Sequence, residues 1–291
     1  MTSVPVSASV VIPVCNGAET IGAQLAALAE QRYAGTWEVI VADNGSTDET
    51  AAIVEAWRTR LPRLRRIDAS QRPGAAYARN EGARHACGEV IAFCDADDVA
   101  GELWLQSLVT ALRDADIAGG TIESTRLNDA VALHWRPPLP SASLPISHGF
   151  LPYALGANVA FRAEVFGLLG GFREDYPAGE DVELLWRAQL AEFRFAFAAD
   201  AVVHYRYRRG LRALLRQYVS YGQIGPRLYR DFAVVGMPSS PLLAVIGPWL
   251  RLLLKLPLAL LSPTARGDVL RRIAFRIGRI RGSLASKVVY L

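Results

Sequence analysis

Three continuously apolar runs constrain this chain most. They are residues 9–14 (SVVIPV), the WEVIVAD of WEVIVADNGSTDET at residues 37–43, and the VIAFC of GEVIAFCDADDVAG at residues 90–94. The segments between them have helical spacing. Ile21, Leu25 and Leu28 fall on one helical face, and TAAIVEAWRTRL and GAAYARNEGARHA read as further helices. A strand buried on both faces is apolar throughout, and such strands alternating with helices build parallel βαβ units. The expected fold is therefore α/β, with a mostly parallel central sheet and flanking helices.

Such sheets bind ligands beyond the carboxyl ends of their strands. Here those ends carry Asn16, then Asp43, Asn44, Gly45 and Ser46, then Asp95, Asp97 and Asp98. Three carboxylates within four residues repel one another. Alone, they fit either a solvated turn or a site for a divalent cation that draws them together. The convergence of all three strand ends on one edge favours a cleft.

After residue 101 the pattern loosens. Residues 134–152 (HWRPPLPSASLPISHGFLP) are rich in Pro and Ser and read as an irregular loop beside a site. In GEDVELLWRAQLAE, Val182, Leu185, Trp186 and Leu190 could share a helical face. Glu180 and Asp181 would then lie in the first turn, where the helix dipole favours carboxylates whether or not they do chemistry.

At 291 residues the chain can bury a full core. Its three cysteines, Cys15, Cys87 and Cys94, match no metal-ligand spacing and suggest a reducing compartment. The opening MTSVPVSASVVIPV has neither a basic start nor a long apolar stretch, so a cytoplasmic location is expected.

Five motifs in order resemble the family 2 glycosyltransferases, enzymes of the GT-A fold that use nucleotide-diphosphate sugars. They are VVIPVCNGAETI, VIVADNGSTDET, RPGAAYARNEGARHACGEVIAFCDADD, GANVAFRAEVFGLLGGFRE and GEDVELLWR, spread over roughly residues 8–205. The resemblance implies a transferase domain over 1–205, with a nucleotide half to about residue 100 and an acceptor half beyond it. It implies nucleoside contacts from Pro13, Val14 and Asn16, and a hydrogen bond from a uracil-type base to Asp43, with Asn44 and Ser46 beside it. Arg72, Arg79 and Asn80 would flank the nucleotide and its diphosphate. Asp95 and Asp97 look like the D-x-D pair, with Asp95 towards the ribose and also near the metal, and Asp97 on the metal. His204 stands where some relatives place a further metal or phosphate contact. Asp181, with Glu180 beside it, looks like the catalytic base.

The chemistry asks for these residue types independently. A departing nucleoside diphosphate carries at least two negative charges, and Mg²⁺ or Mn²⁺ accepts carboxylate and phosphate oxygens together. The acceptor hydroxyl must lose its proton as it attacks the anomeric carbon. One carboxylate opposite the leaving group suffices for that and gives inversion by a single in-line displacement.

The tail differs from the body. Residues 201–291 hold 16 basic side chains and two acidic ones, Asp231 and Asp268, whereas the first 200 hold 16 basic and 26 acidic. Residues 206–291 therefore read as a basic extension facing an anionic surface. The leucine-rich segment 241–261 tempts a membrane-spanning reading. Arg251 and Lys255 would each cost about 2.5–3.5 kcal/mol at the bilayer centre, nearly cancelling the gain from the leucines, and Pro248 and Pro257 are expected to break the helix. Three readings stay open for it: a segment lying in the membrane interface, a span, or a helix packed on the body. Downstream, Leu270, Ile273, Ile277 and Ile280 form one stripe and Arg272, Arg276 and Arg279 an adjacent one, the pattern of a helix that binds anionic lipid.

Expected partners are thus a nucleotide-sugar donor, a glycan or lipid-linked acceptor in envelope or polysaccharide synthesis, and the inner face of a cell membrane. The tail's few aromatics suggest no stacking on nucleic-acid bases. Rival readings are weaker. A phosphatase using DADDV as its nucleophile motif needs a downstream lysine, and both lysines, Lys255 and Lys287, lie in the tail. A sugar-phosphate nucleotidyltransferase needs a Gly-rich, Lys-bearing loop after the first strand. A non-catalytic binding module would not need both Asp97 and Asp181.

Overall fold

The computed structural model describes residues 6–61, 63–136, 142–240 and 242–291. Residues 1–5, read above as part of the N-terminal segment, residues 137–141 of the Pro/Ser-rich stretch, and Pro241 lie outside the described residues.

The elements run in chain order as β1 (Ala8–Val14), α1 (Ile21–Ala29), β2 (Trp37–Asp43), α2 (Thr50–Ala56), β3 (Leu64–Asp68), α3 (Ala75–Arg84) and β4 (Val90–Phe93). Then follow β5 (Val99–Ala100), α4 (Trp104–Ala111), β6 (Ile117–Glu123), α5 (Ala130–Trp135), β7 (Ile146–Ser147), β8 (Leu151–Pro152), β9 (Val159–Arg162) and α6 (Ala163–Leu168). Next come α7 (Glu180–Leu190), β10 (Phe195–His204), α8 (Leu211–Phe232), α9 (Leu242–Leu261) and α10 (Pro263–Ser286).

Eight strands form one sheet in the order β3-β2-β1-β4-β9-β6-β10-β5. Strands β3, β2, β1 and β4 are parallel neighbours, as are β6 and β10, while β9 runs antiparallel between β4 and β6. The mostly parallel sheet expected from the apolar runs is present.

Period-two alternation explains why those runs are apolar throughout. Val10 and Ile12 of β1 pack with Leu25 and Leu28 of α1 and with Trp104 and Leu108 of α4. Val11, on the opposite face, joins Phe93, Phe161, Phe166 and Phe172. Both faces are dry along the middle of the strands; near their amino ends, buried Ser9 of β1 donates its hydroxyl to Glu38 of β2 at 2.7 Å. Helix α3 lies close on the second face: a Cβ at Gly82 would meet Val11 Cγ1 at 2.3 Å. This contact fixes α3, and with it Arg79, beside the ends of β1 and β4.

The C-terminal helices dock on the body instead of trailing from it. Trp186 of α7 packs edge-on against Phe232 of α8 at 5.4 Å, and Tyr290, beyond α10, joins the same cluster. Helices α8 and α10 touch backbone to backbone. A Cβ at Gly278 would stand 2.1 Å from the carbonyl oxygen of Val219, and one at Gly222 2.1 Å from that of Phe275. Gly278→Ala is therefore expected to force the pair apart and destabilise the fold by about 1–3 kcal/mol. Thermal unfolding would register this as a drop of several degrees, and an unchanged midpoint would contradict the packing.

Several expectations are corrected here. Helix α9 runs through positions 248 and 257, so the prolines do not break it; one proline removes one backbone donor, and α8 likewise continues through Pro226. In α10 the expected stripe does not face one way: Ile277 and Ile280 are exposed, while Gly278 and Gly282 face α8. Leu190 is also exposed, although Val182, Leu185 and Trp186 are buried. The Pro/Ser-rich stretch begins in α5 and closes in the β7–β8 hairpin.

Candidate active site

The carboxyl ends of β1, β2 and β4 surround a cleft of about 280 Å³, lined by Pro13, Val14, Cys15, Asn16, Asn44, Arg79, Asp95, Asp97 and Arg208 among others. A larger hollow, about 420 Å³, lies at the opposite ends of β1–β3 around Arg58, Arg63 and Arg65 and holds none of the three clustered aspartates. Two strand-end loops brace the cleft. Asn16, at a left-handed φ of 53° that asparagine tolerates, accepts from the Thr47 N–H at 2.8 Å and donates its own N–H to Ser46 Oγ at 2.9 Å. The Asn44 side chain donates to the Arg72 carbonyl at 2.7 Å and accepts from the Gly74 N–H at 2.8 Å, which sets the start of α3.

Asp95, Asp97 and Asp98 present carboxylate oxygens within 4.8 Å of one another. Asp98 is fully buried; one oxygen accepts the Arg206 N–H at 2.7 Å, and the other has no hydrogen-bond partner. Burial first, and then the charge of Asp95, pushes Asp97 up to about 6. The same causes, with Asp97 added, hold Asp98 well above the ordinary carboxylate range. Crowded, desolvated carboxylates with an orphaned oxygen are the donor set a hard divalent cation uses, so these residues fit Mg²⁺ or Mn²⁺.

A single arginine joins this cluster to the start of α7. The guanidinium of Arg79, buried from solvent, donates to Asp95 Oδ1 at 2.7 Å and to Glu180 Oε1 at 2.9 Å. Both partners support its charge against desolvation and raise its pKa. A Cβ at Gly156 would come within 3.1 Å of the Arg79 Cζ, so a side chain here would require the guanidinium to shift by a few tenths of an ångström. The Gly156 N–H donates to Asp181 Oδ2 at 2.9 Å, and the Val182 N–H donates to Asp181 Oδ1 at 2.8 Å. Burial, reinforced by Glu180, lifts Asp181 to about 6 against those two donors and Arg79. Burial, then the charge of Asp181, pushes the phenol of Tyr153 up to about 12. A half-buried carboxylate poised near neutrality can take a proton from a hydroxyl.

Of the residues singled out in the sequence, Pro13, Val14, Asn16, Asn44, Arg79, Asp95 and Asp97 line the cleft, and Glu180 and Asp181 join it through Arg79. The others stand elsewhere. Asp43 is buried, with Oδ1 accepting the Ser46 N–H at 2.8 Å and Oδ2 accepting from Arg66 at 2.9 Å. Arg72 points outward to Glu174 at 3.1 Å. Asn80, next along α3 from Arg79 and so turned about 100° away, is buried and grips the backbone of Phe172. His204 is not among the clustered carboxylates; its Nδ1 lies 2.8 Å from Glu123 Oε2. Arg208 also lines the cleft, a position signalled in the sequence only by the RYRR run after β10.

The pattern for "Glycosyl transferase family 2" matches residues 9–166, and that for "Glycosyl transferase family group 2" matches 90–270. Glycosyltransferase AglE of Haloferax volcanii is 31% identical over 228 residues, 77% of this chain and 75% of AglE. Succinoglycan biosynthesis protein ExoA of Rhizobium meliloti is 27% identical over 225 residues, 75% of this chain and 68% of ExoA. Among solved structures, the mannosyltransferase PcManGT of Pyrobaculum calidifontis, in complex with GDP-Man and Mn²⁺, superposes with a TM-score of 0.68 at 23% identity. That match covers 96% of this chain and 88% of PcManGT.

Proposed function

Because this chain belongs to the family 2 glycosyltransferases, we propose that it moves a sugar from a nucleotide-diphosphate donor to a hydroxyl of a glycan or lipid-linked acceptor, inverting the anomeric centre. Residues 1–205 are the transferase domain in this reading and 206–291 a basic helical extension. One observation carries it: Arg79 binds Asp95 and Glu180 at once, so the acidic cleft and Glu180, next to the half-buried Asp181, belong to a single site.

The cleft receives the nucleotide along Pro13, Val14 and Asn16. Asp95, Asp97 and Asp98 would hold Mg²⁺ or Mn²⁺, which when bound supplies the positive charge that neutralises the departing diphosphate. Asp181, held by the Gly156 and Val182 N–H groups, takes the acceptor proton. Glu180 keeps Arg79 in place. The direct test is a thermal-shift screen of UDP-, GDP- and dTDP-sugars with and without Mn²⁺. A donor near 100 times its Kd should add about 2.7 kcal/mol and several degrees, and only with the ion. No shift with any donor would contradict the reading.

The extension is read as resting on an anionic membrane surface at the inner, cytoplasmic face, which suits a membrane-proximal acceptor in envelope or polysaccharide synthesis. Among the described residues no helix is long and apolar enough to cross a membrane. Leu250, Leu253 and Leu254 of α9 and Ile277, Ile280 and Leu284 of α10 are nevertheless exposed beside Arg251, Lys255 and Arg281. Apolar groups flanked by cations are what an interfacial helix presents. Leu253→Glu with Leu254→Glu should cut binding to phosphatidylglycerol vesicles by roughly tenfold or more and leave the melting temperature unchanged. Undiminished vesicle binding would contradict this part.

A further inference from the structure

Beyond His204 the chain crosses the mouth of the cleft as Tyr205–Arg208, and each of these four residues is tethered through its backbone. The Tyr205 N–H donates to the Glu123 carbonyl at 2.7 Å, and the Asn128 side chain donates to the Tyr205 carbonyl and accepts the Tyr207 N–H, each at 2.7 Å. The Arg206 N–H reaches Asp98 Oδ1 at 2.7 Å, and its Nε reaches the Asp97 carbonyl at 2.8 Å. The last tether is Arg136, whose buried guanidinium donates to the Arg208 carbonyl at 2.8 Å and lies 4.5 Å over the Tyr207 ring.

What these tethers hold in place is one cation. Arg208 is exposed and lines the cleft with Asp95, Asp97 and Arg79. Asp95 and Glu180 take both terminal nitrogens of Arg79, and its remaining Nε is buried away from solvent, whereas no hydrogen bond or ion pair ties the Arg208 guanidinium to any described side chain. An arginine on a loose segment would lose backbone as well as rotamer entropy on binding, and the pinned backbone removes the first of these costs.

We infer that Arg208 receives the outer phosphate of the departing nucleoside diphosphate and that Arg136 is the positioning residue that aims it. The inference rests on the transferase reading above and adds the residues that would hold the leaving group. When the glycosidic bond to the donor breaks, the outer phosphate keeps the electron pair and gains a charge. A guanidinium fork already in place stabilises that charge most as it develops.

Calorimetry with UMP, UDP, GMP and GDP in Mn²⁺ tests this, because the monophosphates lack the outer phosphate. Arg208→Ala should weaken the better-bound diphosphate by roughly 10–100-fold and its monophosphate by less than about twofold. Arg136→Ala should reproduce part of that selective loss, add nothing in the Arg208→Ala background, and be partly rescued by Arg136→Lys. If Arg136→Ala fails to fold, Asn128→Ala and Arg136→Lys carry the positioning arm. Equal effects on mono- and diphosphate, or no effect, would overturn the role of Arg208. Additive losses would overturn that of Arg136. Wild-type protein that binds none of these four nucleotides, nor dTMP or dTDP, would overturn the transferase reading itself, and this inference with it.

Discussion

Asp181→Asn is expected to lower the rate of sugar transfer by about 10²–10⁴-fold, the loss typical of removing a general base, while nucleotide affinity stays within about twofold of wild type. Among the described residues the carboxylate's hydrogen bonds come from the Gly156 and Val182 N–H groups, one to each oxygen; the amide has nearly the same volume but keeps one accepting oxygen and turns its NH2 toward the other donor. The substitution should therefore remove the proton acceptor at the cost of one local hydrogen bond, leaving the ion pairs of Arg79 in place. A second signature follows from its environment. Burial, with Glu180 next, lifts the group to about 6, and a base works only when ionised. Wild-type kcat/KM should therefore be flat above about pH 6 and fall about tenfold per unit below it, and the variant's residual rate should lack that limb. Near-normal turnover in a steady-state transfer assay would remove Asp181 from the mechanism.

Asp97→Asn is expected to act with opposite signs on two observables. Metal-dependent nucleotide affinity should fall by roughly 100-fold or more, since one hard oxygen ligand of a small set is lost. The metal-free protein should instead become more stable. In the folded state Asp97 is raised from 3.8 to about 6 by burial and then by Asp95, so its ionisation opposes folding. The penalty is absent below about pH 4, grows through the window from 3.8 to 6, and is complete above it. The neutral amide avoids this penalty, worth about 1–3 kcal/mol at pH 7.5, and the gain should shrink as pH falls below 6. Thermal melts in chelator at several pH values read this directly. A metal-free variant less stable than wild type at pH 7.5 would mean that the three carboxylates are not in conflict.

The first hundred residues were legible because burial on both sheet faces leaves a continuous apolar trace, as in β1 and β4. Beyond that the trace breaks for local reasons. Strand β6 carries Gly119 and Gly120; a Cβ at Gly120 would fall 2.2 Å from the Ala201 carbonyl oxygen and 2.5 Å from the buried Asn158 amide. Strand β10 is interrupted by a register shift between Ala198 and Val202. Neither looks apolar enough in sequence to be read as a core strand. The acidic cluster was visible because its members are contiguous, and Asp181 because its motif is. The pairings that decide roles are long-range: Arg79 with Glu180 spans 101 residues, and His204 with Glu123 spans 81. Helical spacing likewise identifies a stripe on α10 without saying that glycines of α8 will claim the other side.

The central claim is that the Asp95–Asp97–Asp98 cluster binds a nucleotide sugar through a divalent cation. The most direct measurement is calorimetric titration of wild-type protein with the best donor from the thermal-shift screen, once in Mn²⁺ and once in excess chelator. Binding in Mn²⁺ that is lost in chelator and restored when the ion is returned is the predicted result. Equal affinity in both buffers would contradict the account.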